Sequence, residues 1–214
     1  MRGKPGRLNL RFLRAGLPIV VRINQRPLGI ANLSTRAQVG TGGDVLIGGF
    51  VVSGSSSKRI LARGTGPSLV QFGVTNALMD PTLELHAQNG ALLFSNDNWT
   101  TAPNKQEISD TGRAPGSSQE PAILTTLAPG KYTAIVRGSA NTTGVALVEV
   151  YDQDSGPGSL LANLSTRGEV GTGANVMIGG VIVTSDKTVL VRALGPTRDV
   201  LLNPRLGLGK SLAG

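Results

Sequence analysis

The chain has 214 residues, enough for one large domain or two modest ones with hydrophobic cores, so size alone demands no metal or disulfide staple. It has no cysteine and a single histidine, His86, which excludes disulfides, thiolate metal sites, cysteine nucleophiles and multi-His zinc sites. The net charge of +8 is local: residues 1–29 hold seven Arg or Lys and no acid, leaving 14 basic against 13 acidic residues in a nearly neutral body. With only seven aromatic residues, that body lacks the basic and aromatic interleaving of a single-strand-binding groove, so nucleic acid is an unlikely partner.

Thirty Gly and twelve Pro suit short strands joined by tight turns, and the expected class is all-β. The basic head, residues 1–29, reads as the degenerate end of a preceding repeat. Its apolar stretch AGLPIVV is short and broken by Pro18, so no export signal is visible in it. No apolar run approaches the roughly 20 residues of a membrane-spanning helix.

At Ala31 begins ANLSTRAQVGTGGDVLIGG, which returns at Ala162 as ANLSTRGEVGTGANVMIGG with 14 of 19 positions identical. The offset is 131 residues up to Val52 and 129 from Lys58, where KRILARGTGP faces KTVLVRALGP; farther on, LMDPTLEL (from Leu78) faces LLNPRLGL (from Leu201). The repeat unit is therefore about 130 residues, and the second copy is expected to stop partway. This divides the chain into the head, a first complete repeat over 30–152, a linker over 153–160 and a truncated second repeat over 161–214.

Within each copy, VLIGGFVVSG and VMIGGVIVTS read as strands entered through a GTG turn. KRILARG and KTVLVRA alternate in polarity as strands with one wet face, giving each copy a hairpin-like pair. The half-unit over 80–152 holds LELHA-QNG-ALLFS, a hairpin turned at Asn89-Gly90. An irregular stretch over 100–120 follows, with room for one short helix, and then the strands KYTAIVRG and VALVEVYD, the first placing Tyr132, Ala134 and Val136 on one face.

Taken together, these phrases resemble the tandem modules of large secreted or surface proteins of environmental bacteria, over about residues 31–208. The 80–152 half is also similar, more distantly, to the β-sandwich accessory domain of the pre-peptidase type at the C-terminus of secreted peptidases. The resemblance implies an extracellular or cell-surface setting. Members of the accessory type carry an acidic or amide cluster before an aromatic and can bind calcium or fibrous substrates; here the cluster is Asn96, Asp97 and Asn98 before Trp99, without the full acidic complement.

The candidate chemistry is sparse. Calcium needs six to eight oxygens, which Asn96, Asp97 and Asn98 with Asp80 or Asp110 would supply together with carbonyls and water; the alternative is plain turn chemistry. GLGKS, from Gly207, ends like a phosphate-binding loop but lacks that motif's first glycine, and the GTG turns precede strands rather than helices, so no cofactor is required. A serine triad would need His86 without any nucleophile elbow. Glu84, Asp97, Glu107, Asp110, Glu120 and Glu149 share no frame and read as solvated acids, and the expectation is no enzyme. Arg36 with Arg167, and Arg63 with Arg192, occupy equivalent repeat positions, either as anion forks or as structural ties.

The expected architecture is an antiparallel β-sandwich, jelly-roll or Ig-like, in which an ANLSTR half packs its apolar face on a DPTLEL half. The halves run A, B, A′, so one A-type half is left over. An unmatched half leaves a sheet edge open to a neighbour, and the expected role is a non-catalytic module for structural assembly, adhesion or spacing through self-association or neighbouring repeats. The alternative is a carbohydrate- or matrix-binding accessory module of a secreted hydrolase.

Overall fold

The computed structural model describes residues 29–154, 158–172, 175–184 and 190–193. The basic head apart from Gly29, the KTV of KTVLVRA and the GLGKS stretch lie outside the described residues. The described chain is nearly all antiparallel strand. In order these are β1 (Ile30–Val39), β2 (Leu46–Gly54), β3 (Lys58–Thr65), β4 (Pro81–Ala87), β5 (Leu92–Asn96), β6 (Ala122–Leu127), β7 (Gly130–Gly138), β8 (Gly144–Asp152), β9 (Ser159–Arg167) and β10 (Ile178–Val183). One short helix, α1 (Lys105–Asp110), sits in the irregular stretch where room for a helix was expected.

Hydrogen-bonded neighbours run β5-β4-β7-β2-β9 along one layer and β10-β1-β8-β3-β6 along the other, joined where Ile30 of β1 bridges Leu161 of β9. The two layers face each other over one core. Leu33, Phe50, Ile60, Leu83, Leu85, Val136, Val148 and Leu161 are all buried in it. Each such aliphatic or aromatic side chain contributes about 1.5–3 kcal/mol by leaving water, and the period-2 alternation of the strands aims them inward.

The β4–β5 hairpin forms as expected. Leu83 faces Asn96, His86 faces Leu92, and Gly90 supplies the left-handed turn residue with φ of 84°.

Two expectations are corrected. First, β2 and β3 are not partners: β2 lies between β7 and β9, and β3 between β6 and β8. Apart from the β4–β5 hairpin, consecutive strands cross between layers, so the A and B halves interleave within both layers rather than packing face to face. Second, β3 has no wet face along its centre, since Ile60, Leu61 and Ala62 are all buried. The irregular stretch covers its outer side, where Leu61 and Leu124 pack with Ile108 of α1 and with Trp99. That cover is pinned by the Trp99 indole, which donates to the Ser117 carbonyl at 3.1 Å, and by the Asn104 amide, which donates to the Leu124 carbonyl at 3.0 Å.

The boundary at residue 160 also looks different in three dimensions. β9 starts at Ser159, and both Ser159 and Leu161 are buried against the first copy. Asp154, inside the expected linker, takes the Lys58 ammonium at 2.7 Å and the Arg59 amide at 2.7 Å.

Candidate functional site

The most distinctive site is the seam where the two copies of the repeated phrase meet. Subtracting the offset of 131, β9 is the counterpart of β1 and β10 the counterpart of β2. β2 pairs with β9 so that Ile47, Gly48, Gly49 and Phe50 face Arg167, Thr166, Ser165 and Leu164. β1 pairs with β10 so that Arg36, Thr35, Ser34 and Leu33 face Ile178, Gly179, Gly180 and Val181. These are the same four pairs with the copies exchanged. Two further bridges join a residue to its own counterpart, Ile30 to Leu161 and Gln38 to Glu169. The first copy's strands thus pair reciprocally with the second copy's about a pseudo-two-fold.

Small residues make the exchange possible. A Cβ placed on Gly49 would lie 3.6 Å from the Ser165 Cβ and 3.2 Å from its carbonyl oxygen. One placed on Gly180 would lie 2.6 Å from the Ser34 hydroxyl oxygen. Any larger side chain at these glycines would push the crossing strands apart. Thr166 adds a side-chain bond across the seam, its hydroxyl donating to the Ile47 carbonyl at 2.8 Å.

The GTG turns close on themselves identically in both copies. The Gly40 amide donates to the Asp44 carbonyl at 2.6 Å and the Asp44 amide to the Thr41 carbonyl at 3.0 Å; in the second copy Gly171, Asn175 and Thr172 repeat both bonds at 3.0 and 3.1 Å. These amides are spent inside the turn. At this end of the seam lies an open cleft of about 570 Å³ lined by Gly43, Asp44, Val45, Arg167, Gly168 and Glu169.

The repeated arginines part company. Arg36 and Arg167 occupy reciprocal seam positions, and the Arg167 guanidinium reaches the Gly43 carbonyl at 3.4 Å. Arg63 is held by the Glu149 carboxylate through Nε at 2.7 Å and Nη2 at 2.5 Å, and by the Arg113 carbonyl at 2.7 Å. Its plane also lies over the Tyr151 ring. Arg192, its counterpart, is exposed.

Burial, then the hydrogen bond that the Tyr151 hydroxyl donates to Glu149 at 2.6 Å, pushes the phenol from its ordinary 10.0 up to about 12. Burial likewise pushes the Asp152 carboxyl up, although Lys58 lies 3.0 Å away and opposes the shift.

Two of the acids expected to be solvated are buried, which corrects that reading. Glu149 is the partner of Arg63. Glu120 is fully buried and accepts four hydrogen bonds: from the Gly66 and Ser68 amides at 2.9 and 2.8 Å, the Ser68 hydroxyl at 2.8 Å and the Ser117 amide at 3.2 Å. A buried carboxylate is tolerated only with such a complement. It fastens the Gly66-Pro67 turn to the covering stretch. Burial of these acids leaves no mark in a single sequence.

The calcium candidates are dispersed among other duties. The Asn96 side chain accepts from the Ala122 amide at 2.9 Å and donates to the Asn98 carbonyl at 3.2 Å, and the Asn98 amide donates to Asp97 at 3.0 Å. Asp80 lies just before β4, and Asp110 ends α1 with Gln106 donating to it at 2.8 Å. Among the described residues no three acidic or histidine side chains gather as metal ligands. His86 is engaged at both ring nitrogens, by Glu84 at 3.0 Å and the Gly90 carbonyl at 3.1 Å. Among the described residues no helix is long and apolar enough to cross a membrane.

No family model and no curated protein matches the chain. Among solved structures it is similar to the pre-peptidase C-terminal domain of a collagenase from Bacillus anthracis, at 16% identity and a TM-score of 0.35, over 56% of this chain and 89% of that one.

Proposed function

We propose that the chain is a non-catalytic β module of a secreted or surface protein, and that its work is structural assembly and spacing through strands exchanged between neighbouring repeats. The observation that carries this reading is the reciprocal register of the seam, Ser34 with Gly180 and Ser165 with Gly49. A strand shared in both directions ties one repeat to the next without a flexible linker, which sets a fixed distance between repeats. The extracellular setting rests on the resemblance of the repeated phrases to surface modules.

A polymer-binding role has one observation in its favour. Phe72, 76% exposed, borders a cleft of about 320 Å³ that also holds Arg63, Ser68 and Glu149. An exposed ring beside polar groups suits the face of a sugar or a fibrous peptide.

One experiment separates the two roles. The purified chain is passed over immobilised cellulose, chitin and gelatin and incubated with their soluble counterparts. Structural spacing predicts neither retention nor turnover; saturable retention that Phe72→Ala abolishes would establish the binding role in its place.

A further inference from the structure

The first copy shows what each seam strand holds on its other edge. β1 carries β10 on one side and β8 on the other; β2 carries β9 and β7. Their counterparts β9 and β10 hold the seam partners, but among the described residues the outer edge of β9 meets only the single bridge from Ile30 to Leu161, and no strand lies along the outer edge of β10. The positions left bare are those that β8 and β7 fill in the first copy.

Side chains tell the same story. Phe50 is 2% exposed and its counterpart Val181 42%; Leu61 is wholly buried and its counterpart Leu190 85% exposed. Arg63 has Glu149 and Tyr151 of β8 about it, whereas Arg192 is exposed. The uncovered surface therefore combines two strand edges, a row of aliphatic side chains and a cation, matching three properties of a GVALVEVYD-type strand: free backbone groups, alternating valines and a glutamate.

We infer that the second copy is an acceptor for a further half-unit of the β4–β8 type. A β8-type strand adds to β9 and a β7-type strand adds to β10, in the registers seen in the first copy. Leu164 then faces a valine equivalent to Val150, Val181 faces a tyrosine equivalent to Tyr132, and Arg192 takes a carboxylate equivalent to Glu149. This inference rests on the reading of the seam as a joint between repeats. It adds the identity of the next partner and predicts that the array grows in one direction by supplying B-type halves.

The test adds a second copy of residues 78–152 after Val200 and follows amide hydrogen exchange. The expected result is about tenfold or greater slowing of exchange across β9 and β10, with the amides of β1 and β2 unchanged. The same extension carrying Val148→Asp in the added copy is expected to lose that protection. Should the extension not fold, peptides of residues 130–138 and 144–152, added together to the unextended chain, are expected to protect the same two strands saturably. Unchanged exchange in both formats overturns the inference. So does protection that arises from raising the concentration of the chain alone, which would assign the bare edges to self-pairing. Fast exchange in the unextended chain on the seam-facing sides of β1 and β2 would instead sink the joint itself.

Discussion

The two copies of the ANLSTR phrase are nearly the same sequence in two environments. In the first, both edges of each strand are paired and the inward side chains are buried; in the second, among the described residues, only one edge is paired apart from the bridge at Leu161, and most of the aliphatic side chains are exposed. Fourteen shared residues of nineteen cannot cause that difference. Burial here is set by whether a B-type half is present to cover the strands, not by the strands' own propensity, as expected where packing rather than intrinsic preference stabilises a sheet.

The comparison can be broken at matched positions. Phe50, 2% exposed in the main core, is expected to cost about 3–5 kcal/mol when truncated to alanine, while alanine at its counterpart Val181, 42% exposed, costs less than about 0.5 kcal/mol. Chemical denaturation of both variants checks this, and equal costs would mean the two environments do not differ as described. Glu120→Ala strips the acceptor from three backbone amides and is expected to cost about 3 kcal/mol, unlike substitution of the exposed Glu107. Arg63→Met is expected to cost about 1–2 kcal/mol and Arg192→Met almost nothing, because only the first has its carboxylate in place.

A pH experiment sharpens the same cluster. The folded Tyr151 phenol titrates at about 12 against an ordinary 10.0. Its pKa is raised, so its contribution to stability is complete below pH 10 and is lost as pH rises through 12. Wild type is therefore expected to lose more stability across that interval than Tyr151→Phe, and parallel curves would show that the phenol is not held as described. A comparably small effect is expected at Asp97, where replacement by Asn changes stability by less than about 0.5 kcal/mol. Calcium titration of the melting temperature checks the cluster: a shift lost in Asp97→Asn would establish calcium there.

Local signals carried well from sequence to structure, and pairing signals did not. Asn89-Gly90 announces the β4–β5 hairpin because the turn needs a left-handed residue at that point. The repeat itself is plain in the phrase and its offset. Nothing in the alternation of KRILARG names its partners, so the expected pairing of β2 with β3 was wrong, and the cover over its outer face came from an irregular stretch without periodicity. Glu120 and Glu149 look like any other acids until their donors are placed around them. The seam itself was not legible: Ser34 meets Gly180 and Ser165 meets Gly49 across the copies, and the repeated phrase carries no sign of that crossing. Which copy each strand would meet is a matter of tertiary pairing.

The absence of cysteine makes the most direct test a clean one. Gly49→Cys with Ser165→Cys, and separately Ser34→Cys with Gly180→Cys, place Cβ atoms at 3.6 and 4.0 Å, within the range a disulfide needs. Reciprocal exchange between the copies predicts that both pairs oxidise within a monomer. Oxidation instead of the within-copy pairs Ser34→Cys with Gly49→Cys, or Ser165→Cys with Gly180→Cys, would contradict it.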